Sequence, residues 1–502
     1  MASGRSKNDK KWTVNMKVLG IDIGTTSVCA VILHGATGEV LETVSINNDA
    51  AIAGGKSWEA LQDAEKIWQR AEQLIDKLVG RHPDIGAIGL TGQMHGIVYI
   101  DANGQSVSPL FTWQDGRGDK LVPSVKLKEI ISVQTELLQD DLNRQSGQLT
   151  YAALLSLLSG YKLATGFGAV THFYNIHNNL VPENAVKICT IHDYIGMRLT
   201  KRKSPLMHIS DAASLGLFQH GIFDGEALRK CQIDPDIFPE VASDFAVIGR
   251  KDDIPVIVAI GDNQASFIGS VRDMSSSIVI NIGTSGQISM LADDLVDDFS
   301  AMELRPLLAL HDAGQELVIS VGAALCGGKA YALLEKLFRS VIDMSGTTHQ
   351  QGFDQDTSLF PVMNKLAEEA LEKYTDDSDK LVVSTRFRGT RQDPHIRGSI
   401  SGIGMHNFDA QHMIIGVLEG MVDELYEFYS PDTSHKHLVG SGNALRRNPV
   451  LQKIAAKRFG LPLLIPMHTE EAAYGAALAA LTGAGFCDSL EQAQSLIRYQ
   501  GG

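Results

Sequence analysis

Two segments in different halves of the chain are built alike: Gly20-Ile21-Asp22-Ile23-Gly24-Thr25-Thr26 and Ile280-Asn281-Ile282-Gly283-Thr284-Ser285-Gly286. Each ends an apolar run (Val18 to Ile21, Ile278 to Ile282) and leads into another (Val28 to Leu33, Gln287 to Leu291), so each is expected to form a strand, a tight turn and a returning strand. Glycine lets the turn backbone come close to a ligand, and the Thr and Ser hydroxyls add donors to its N–H groups. A phosphate held without a lysine needs such a surface. One such turn per half suits a nucleotide gripped from two sides.

The chain has 502 residues, more than one hydrophobic core usually organises, so two domains are expected. Its longest apolar stretches, such as Pro255 to Ile260, are too short to span a bilayer. Residues 1–16 carry Lys7, Lys10 and Lys11 without the apolar segment of a signal peptide and read as a flexible start. The five cysteines, Cys29, Cys189, Cys231, Cys326 and Cys487, lack metal-ligand spacing, which suits a reducing cytoplasm. A net charge of −15 argues against nucleic acid as a partner. It also requires that a phosphate substrate arrive with its charge partly neutralised, as with Mg2+.

Strand, turn and helix alternate along the chain, the pattern of an α/β fold. Between Glu59 and Leu78 the residues Leu61, Ala64, Ile67, Trp68, Ala71, Leu74, Ile75 and Leu78 keep helical spacing, with Ser57 as N-cap and Gly80 and Pro83 as stops. Ile85 to Leu90 reads as a buried strand. A second amphipathic helix carries Ile414, Val417, Leu418, Met421, Leu425 and Phe428. Asp244 to Pro255 is short, polar and basic, and is expected to be a linker. The domain boundary is placed near 252, giving domains 17–252 and 253–502.

The remaining motifs are Gly92-Gln93-Met94-His95-Gly96, Trp113-Gln114-Asp115-Gly116-Arg117, the Asp193 to Thr200 segment, Gly261-Asp262-Asn263-Gln264, Gly440-Ser441-Gly442-Asn443 and Glu471 to Ala477. Together with the two turns, and in this order over residues 17–482, they resemble the FGGY carbohydrate kinases. The resemblance implies two actin-like, ribonuclease-H-like ATPase domains with ATP and sugar in a cleft between them.

On that resemblance Asp22 corresponds to the aspartate that helps hold Mg2+, beside Thr25 and Thr26, while Gly283 and Thr284 form the second phosphate turn. By itself an Asp in this position also suits the cap of a tight turn. Asp262 follows the apolar run Val256 to Ile260 and one glycine, which sets it at a strand end. There a carboxylate can orient a sugar hydroxyl and accept its proton, although an Asx turn explains the same residues. Gln93, Met94, His95, Asp115 and Asn263 are the expected sugar contacts, with Asp115 favoured over Arg117; an Asp-Arg surface pair is the alternative. Gly328, Gly442 and Asn443 match the family's nucleotide contacts. The small residues from Ala472 to Ala480 also suit close helix packing.

Two departures stand out. Gly389-Thr390-Arg391-Gln392-Asp393-Pro394 has no acid where many members carry glutamate, and Arg446 and Arg447 lengthen the nucleotide loop, with solvent as their expected surroundings. The resemblance is strongest to the branch acting on sedoheptulose, with the xylulose kinases second; it implies an ATP- and Mg2+-dependent ketose kinase. An actin-like nucleotide-binding protein with no small-molecule acceptor is the reading from another class.

Overall fold

A computed structural model describes residues 16–53, 55–132, 149–292, 302–310, 315–344, 358–373, 380–391, 393–431 and 433–501. The segment expected to be a flexible start lies outside these residues, apart from Met16. The chain divides into two compact units, one of residues 1–269, 305–317 and 470–496, the other of residues 270–304, 318–469 and 497–502. No helix among the described residues is long and apolar enough to cross a membrane.

The first unit is built on a seven-stranded sheet of β1 (Lys17–Ile23), β2 (Ser27–His34), β3 (Val40–Asn47), β4 (Ile85–Gly92), β5 (Val247–Lys251), β6 (Ile254–Ile257) and β7 (Ile260–Gly261), in the order β5-β6-β4-β1-β2-β3 with β7 also paired to β4. The expected first hairpin is present: β1 and β2 are antiparallel, with Ile23 opposite Val28. β1, β4 and β7 run parallel, pairing Asp22 with Thr91 and Gly261 with Gly92. Three strand ends therefore lie side by side, and Gly24-Thr25-Thr26, Gln93-Met94-His95 and Asp262-Asn263 follow them. Ligands of open α/β sheets collect beyond the carboxyl ends of parallel strands.

A small-residue helix closes over this sheet from far along the chain. A Cβ on Gly20 would lie 1.9 Å from Ala473 O, and one on Gly89 1.9 Å from Ala476 O, so only glycine lets the later of the helices described below, Glu471–Gly483, rest on β1 and β4. The helices used here are α1 (Ala64–Arg81), α2 (Ile191–Leu199), α3 (Ile209–Leu215), α4 (Asp262–Ser270), α5 (Gly328–Met344), α6 (Ala410–Tyr426) and α7 (Glu471–Gly483). The close packing expected of Ala472 to Ala480 is thus realised in α7.

Three local expectations are corrected. α1 begins five residues after Glu59, because Leu61 and Gln62 pair in antiparallel fashion with Leu110 and Phe111, and Asp63, not Ser57, caps it by accepting from Lys66 N. The helix also runs through Gly80 to Arg81. Asp244 to Pro255 is no linker. Its residues form most of the β5–β6 hairpin on the edge of the first sheet, with Asp252 in the turn at φ 52°. The first unit continues to Gly269, so Asp262 belongs to it and not to a domain beginning at 253.

The second unit repeats the plan. β8 (Ser277–Ile282) and β9 (Gly286–Leu291) make the expected second hairpin, and with β10 (Gln315–Ala324), β11 (His437–Ser441) and β12 (Leu463–Leu464) they form the order β10-β9-β8-β11-β12. β8 and β11 are parallel, pairing Asn281 with Ser441. The core of this unit gathers Ile278, Ile280 and Ile282 of β8 with Ile414, Leu418 and Leu425 of α6. Burying that apolar helix stripe is what orders α6.

Candidate functional site

The carboxyl ends of β1, β4 and β7 gather most of the expected residues of the first unit. Asp22 is half-buried, and its Oδ1 has no hydrogen-bond partner among the described residues. Burial, followed by the charges of Asp262 and Glu470, pushes its carboxyl up to about 8. Asp262 is half-buried at the start of α4; burial raises its pKa, with Arg305 and His192 pulling it back down. A carboxylate buried within electrostatic reach of two others favours a proton or a cation. An oxygen-only donor with an unpartnered buried atom, as at Asp22, has the chemistry that a hard divalent ion takes.

Glu470 was not singled out in the sequence. It arrives here because α7 begins at the next residue and lies on β1, which the glycine at position 20 permits. The only sequence signal was a pair of acids before a small-residue helix.

Beside Asp22, Thr25 is tied into its own unit. Its hydroxyl donates to Gln93 Oε1 at 3.1 Å and accepts from Trp113 Nε1 at 3.0 Å, while Gln62 Nε2 donates to its carbonyl at 2.8 Å. Gln93 donates in turn to Gln62 Oε1 at 3.0 Å and is 2 % exposed. Thr25 Oγ1 and the Gln93 amide are therefore engaged in holding the turn, whereas Thr26 is exposed. Trp113, 46 % exposed although its N–H is bonded, offers an apolar face at the same place. Its position in the motif was visible in the sequence; its link to Thr25 was not.

Asp115 corrects the expectation of a direct sugar contact. Its side chain is fully buried, accepting from Ala60 N at 3.1 Å, from Arg117 N at 3.1 Å and from Arg117 Nε at 2.6 Å. Arg117 is 2 % exposed and donates to Asn175 as well, so the surface-pair alternative fails too. The pair supports the loop that carries Trp113. Met94 is 4 % exposed and packs under Gly261, whose imagined Cβ would lie 2.6 Å from Met94 Cε. His95 sits at φ 70°, its Nδ1 donating to Ser214 O at 2.7 Å and its ring against Phe167 at 4.7 Å between centroids. Asn263 is 9 % exposed, and its buried Oδ1 has no hydrogen-bond partner among the described residues.

In the second unit Gly283, Thr284, Gly328, Gly442 and Asn443 come together around the end of β8. Gly328 N donates to Gly283 O at 2.8 Å, and a Cβ on Gly328 would lie 2.6 Å from that oxygen. Gly442 has φ 84°, and a Cβ there would meet Asn281 Oδ1 at 2.5 Å. Thr284 and Asn443 are exposed. The turn, the N-terminus of α5 and the step after β11 thus lie against one another through backbone and glycine, a surface chemistry suited to a flat or anionic ligand.

The neighbouring arginines differ from expectation. Arg446 is half-buried and donates to Pro466 O at 2.8 Å and to His468 O, fastening that loop, while Arg447 is exposed as expected. Thr390 closes a local turn by accepting from Asp393 N at 2.9 Å.

The chain is similar to known proteins over most of its length. The model of the N-terminal domain of the FGGY family of carbohydrate kinases matches residues 17–269, and that of the C-terminal domain residues 279–484. This protein belongs to the FGGY family of carbohydrate kinases. It is 26 % identical to sedoheptulokinase from Mus musculus, over 92 % of this chain and 97 % of that protein. It is 24 % identical to gluconokinase from Bacillus subtilis (strain 168), over 96 % of this chain and 90 % of that protein. The fold is that of gluconate kinase from Lactobacillus acidophilus, at a TM-score of 0.75 and 20 % identity, covering 97 % of this chain and 92 % of that one. The two-domain α/β class is therefore established, and the chain is a sugar kinase.

Proposed function

We propose that this FGGY kinase transfers the γ-phosphate of MgATP to a terminal hydroxyl of a ketose, and that its preferred acceptor is sedoheptulose, giving sedoheptulose 7-phosphate. The observation that carries the reading is the convergence of Asp22 and Asp262 on the carboxyl ends of β1 and β7, the two parallel strands that flank β4. Asp262 accepts the proton of the acceptor hydroxyl; burial raises its pKa above the ordinary carboxylate value, which makes it a stronger base when ionised. Asp22 holds Mg2+, which neutralises phosphate charge when bound. Met94, His95, Asn263 and the Trp113 face surround the acceptor. Gly283, Thr284, Gly328, Gly442 and Asn443 receive ATP. Engagement of Thr25 and Gln93 with each other fixes the turn on which Asp22 depends.

The likeness to sedoheptulokinases over nearly the whole chain, and the wording of Trp113 to Arg117, support the seven-carbon acceptor. Five free, buried cysteines suit the reducing cytoplasm in which such an enzyme would work. The test is kcat/KM under saturating MgATP across sedoheptulose, D-xylulose, D-ribulose, gluconate and glycerol. Sedoheptulose should exceed the five-carbon ketoses by about 10-fold or more, the worth of one or two lost hydrogen bonds. A clear preference for D-xylulose overturns the acceptor and leaves the kinase chemistry standing.

A further inference from the structure

A buried cluster next to Asp262 has no part in the chemistry described so far. His192 and Asp193 lie in the first turn of α2 and Asp211 in that of α3; their exposures are 0 %, 2 % and 0 %. Asp193 has a structural explanation, since Thr190 Oγ1 accepts from its N–H and donates to its Oδ2 at 2.6 Å, a capping box. His192 and Asp211 have none of this kind. Nε2 of His192 lies 2.9 Å from Asp211 Oδ1 in an ion-pair contact without the alignment of a good hydrogen bond.

The other edge of the imidazole points at the end of β4. A Cβ on Gly92 would come 2.8 Å from His192 Nδ1, and Gly92 is paired with Gly261, the residue before Asp262. α3 grips that same residue: Gly261 N donates to Ser210 Oγ at 3.0 Å, and Ser210 Oγ lies 2.8 Å from His208 Nδ1. Asp211, the next residue in α3, is the one that meets His192. The peptide that aims Asp262 is therefore held by Ser210 on α3 and by a strand partner against which His192 is packed.

We propose that His192, clamped by Asp211, is a positioning residue for Asp262, fixing through Gly92 and Gly261 the direction in which the Asp262 carboxylate meets the acceptor hydroxyl. The inference rests on the kinase reading in which Asp262 is the base. Burial lowers the pKa of His192 and raises that of Asp211 well above its ordinary value. A planar ring held on one edge is a stiffer spacer than a flexible side chain, and geometry of this kind decides how often a reactant pair is aligned.

The experiment is a double-mutant cycle on the full-length enzyme, with kcat and both KM values measured for the best acceptor and cooperative thermal unfolding confirmed for each variant. Asp262→Asn should lower kcat on the order of 100-fold, and His192→Asn about 10-fold with both KM values within about 2-fold. In the Asp262→Asn background, His192→Asn should cost less than about 2-fold more, because a group that acts through Asp262 then has nothing to act on. Asp211→Asn should reproduce the His192→Asn effect and carries the test if that variant does not fold.

Equal losses in both backgrounds, or an unchanged kcat, overturn the proposal. So does a stoichiometric divalent metal in the purified protein that disappears in both single variants, since donor atoms of His192, Asp193 and Asp211 lie within 4.8 Å of one another and would then form a metal centre. A wild-type enzyme with no sugar-dependent ADP formation overturns the kinase reading and this inference with it; an active wild type with additive variants overturns the inference alone.

Discussion

The two glycine turns share a backbone plan and differ in charge. Asp22 stands two residues before Gly24, and Asn281 stands two residues before Gly283. In the first unit that position is a carboxylate with an unpartnered oxygen, facing two more carboxylates. In the second it is an amide, and the turn is lined by Gly328 and Gly442 at distances no Cβ tolerates. One turn is thus electrostatically strained until a cation or proton joins it; the other is closely packed on backbone and electrically quiet. The two turns share their backbone plan, while one residue on the strand sets the charge of each.

Converting the first turn into the second is the strongest way to break this comparison. Asp22→Asn should lower kcat/KM on the order of 100-fold and raise the Mg2+ concentration needed for half-maximal rate, since a lone amide oxygen replaces the charged ligand. Titrating Mg2+ at fixed ATP checks it; a normal Mg2+ requirement would sink the assignment. The same variant tests the strain. The folded protein holds the Asp22 proton more tightly than the unfolded chain, so this group costs stability as pH rises from 3.8 to about 8 and no further above it. Without divalent ions, Asp22→Asn should therefore raise Tm, by more at pH 8 than at pH 5. An equal gain at both values would show that Asp22 is not buried as a raised-pKa acid.

Crowding the second turn should have a smaller and different effect. Gly328→Ala sets a Cβ against Gly283 O at 2.6 Å, a backbone atom that cannot swing away. Overpacking of this kind costs ~1–3 kcal/mol, so KM for ATP should rise by about 10-fold while KM for the sugar changes little. A matching rise in both would mean that the two turns do not divide the ligands.

The smallest expected effect sharpens the description of the first turn. Trp113→Phe keeps an apolar ring and removes the N–H that donates to Thr25 Oγ1 at 3.0 Å. Loss of one such bond is worth ~1 kcal/mol, or about 5-fold in kcat/KM. Because the ring remains, the change should fall on kcat more than on sugar KM, and steady-state kinetics with the preferred ketose separate the two.

Much of this was legible in the residues. Glycine between two apolar runs announced both hairpins, and one glycine after the Val256 to Ile260 run announced the strand end of Asp262, because these signals are local. The start of α1 misled for a physical reason: Leu61 satisfies helical spacing but is claimed by pairing with Phe111, a contact 50 positions away in the sequence. The polar residues from Asp244 to Pro255 look like a linker because an edge strand has one solvent-facing side. Asp115 was expected to touch sugar, with a surface Asp-Arg pair as the alternative, since composition does not reveal that Ala60 N and Asn175 come to meet the pair.

The sequence by itself determined the two turns, the order of the motifs and hence the family, because each depends on residues close together along the chain. Tertiary structure alone decided which charges share a site. Glu470 reaches Asp22 only because α7 can lie on Gly20 and Gly89, and His192 meets Asp211 only because α2 and α3 both pack beneath the ends of β4 and β7. The Coulomb energy of a carboxylate depends on distance through space and on burial, neither of which a linear sequence contains.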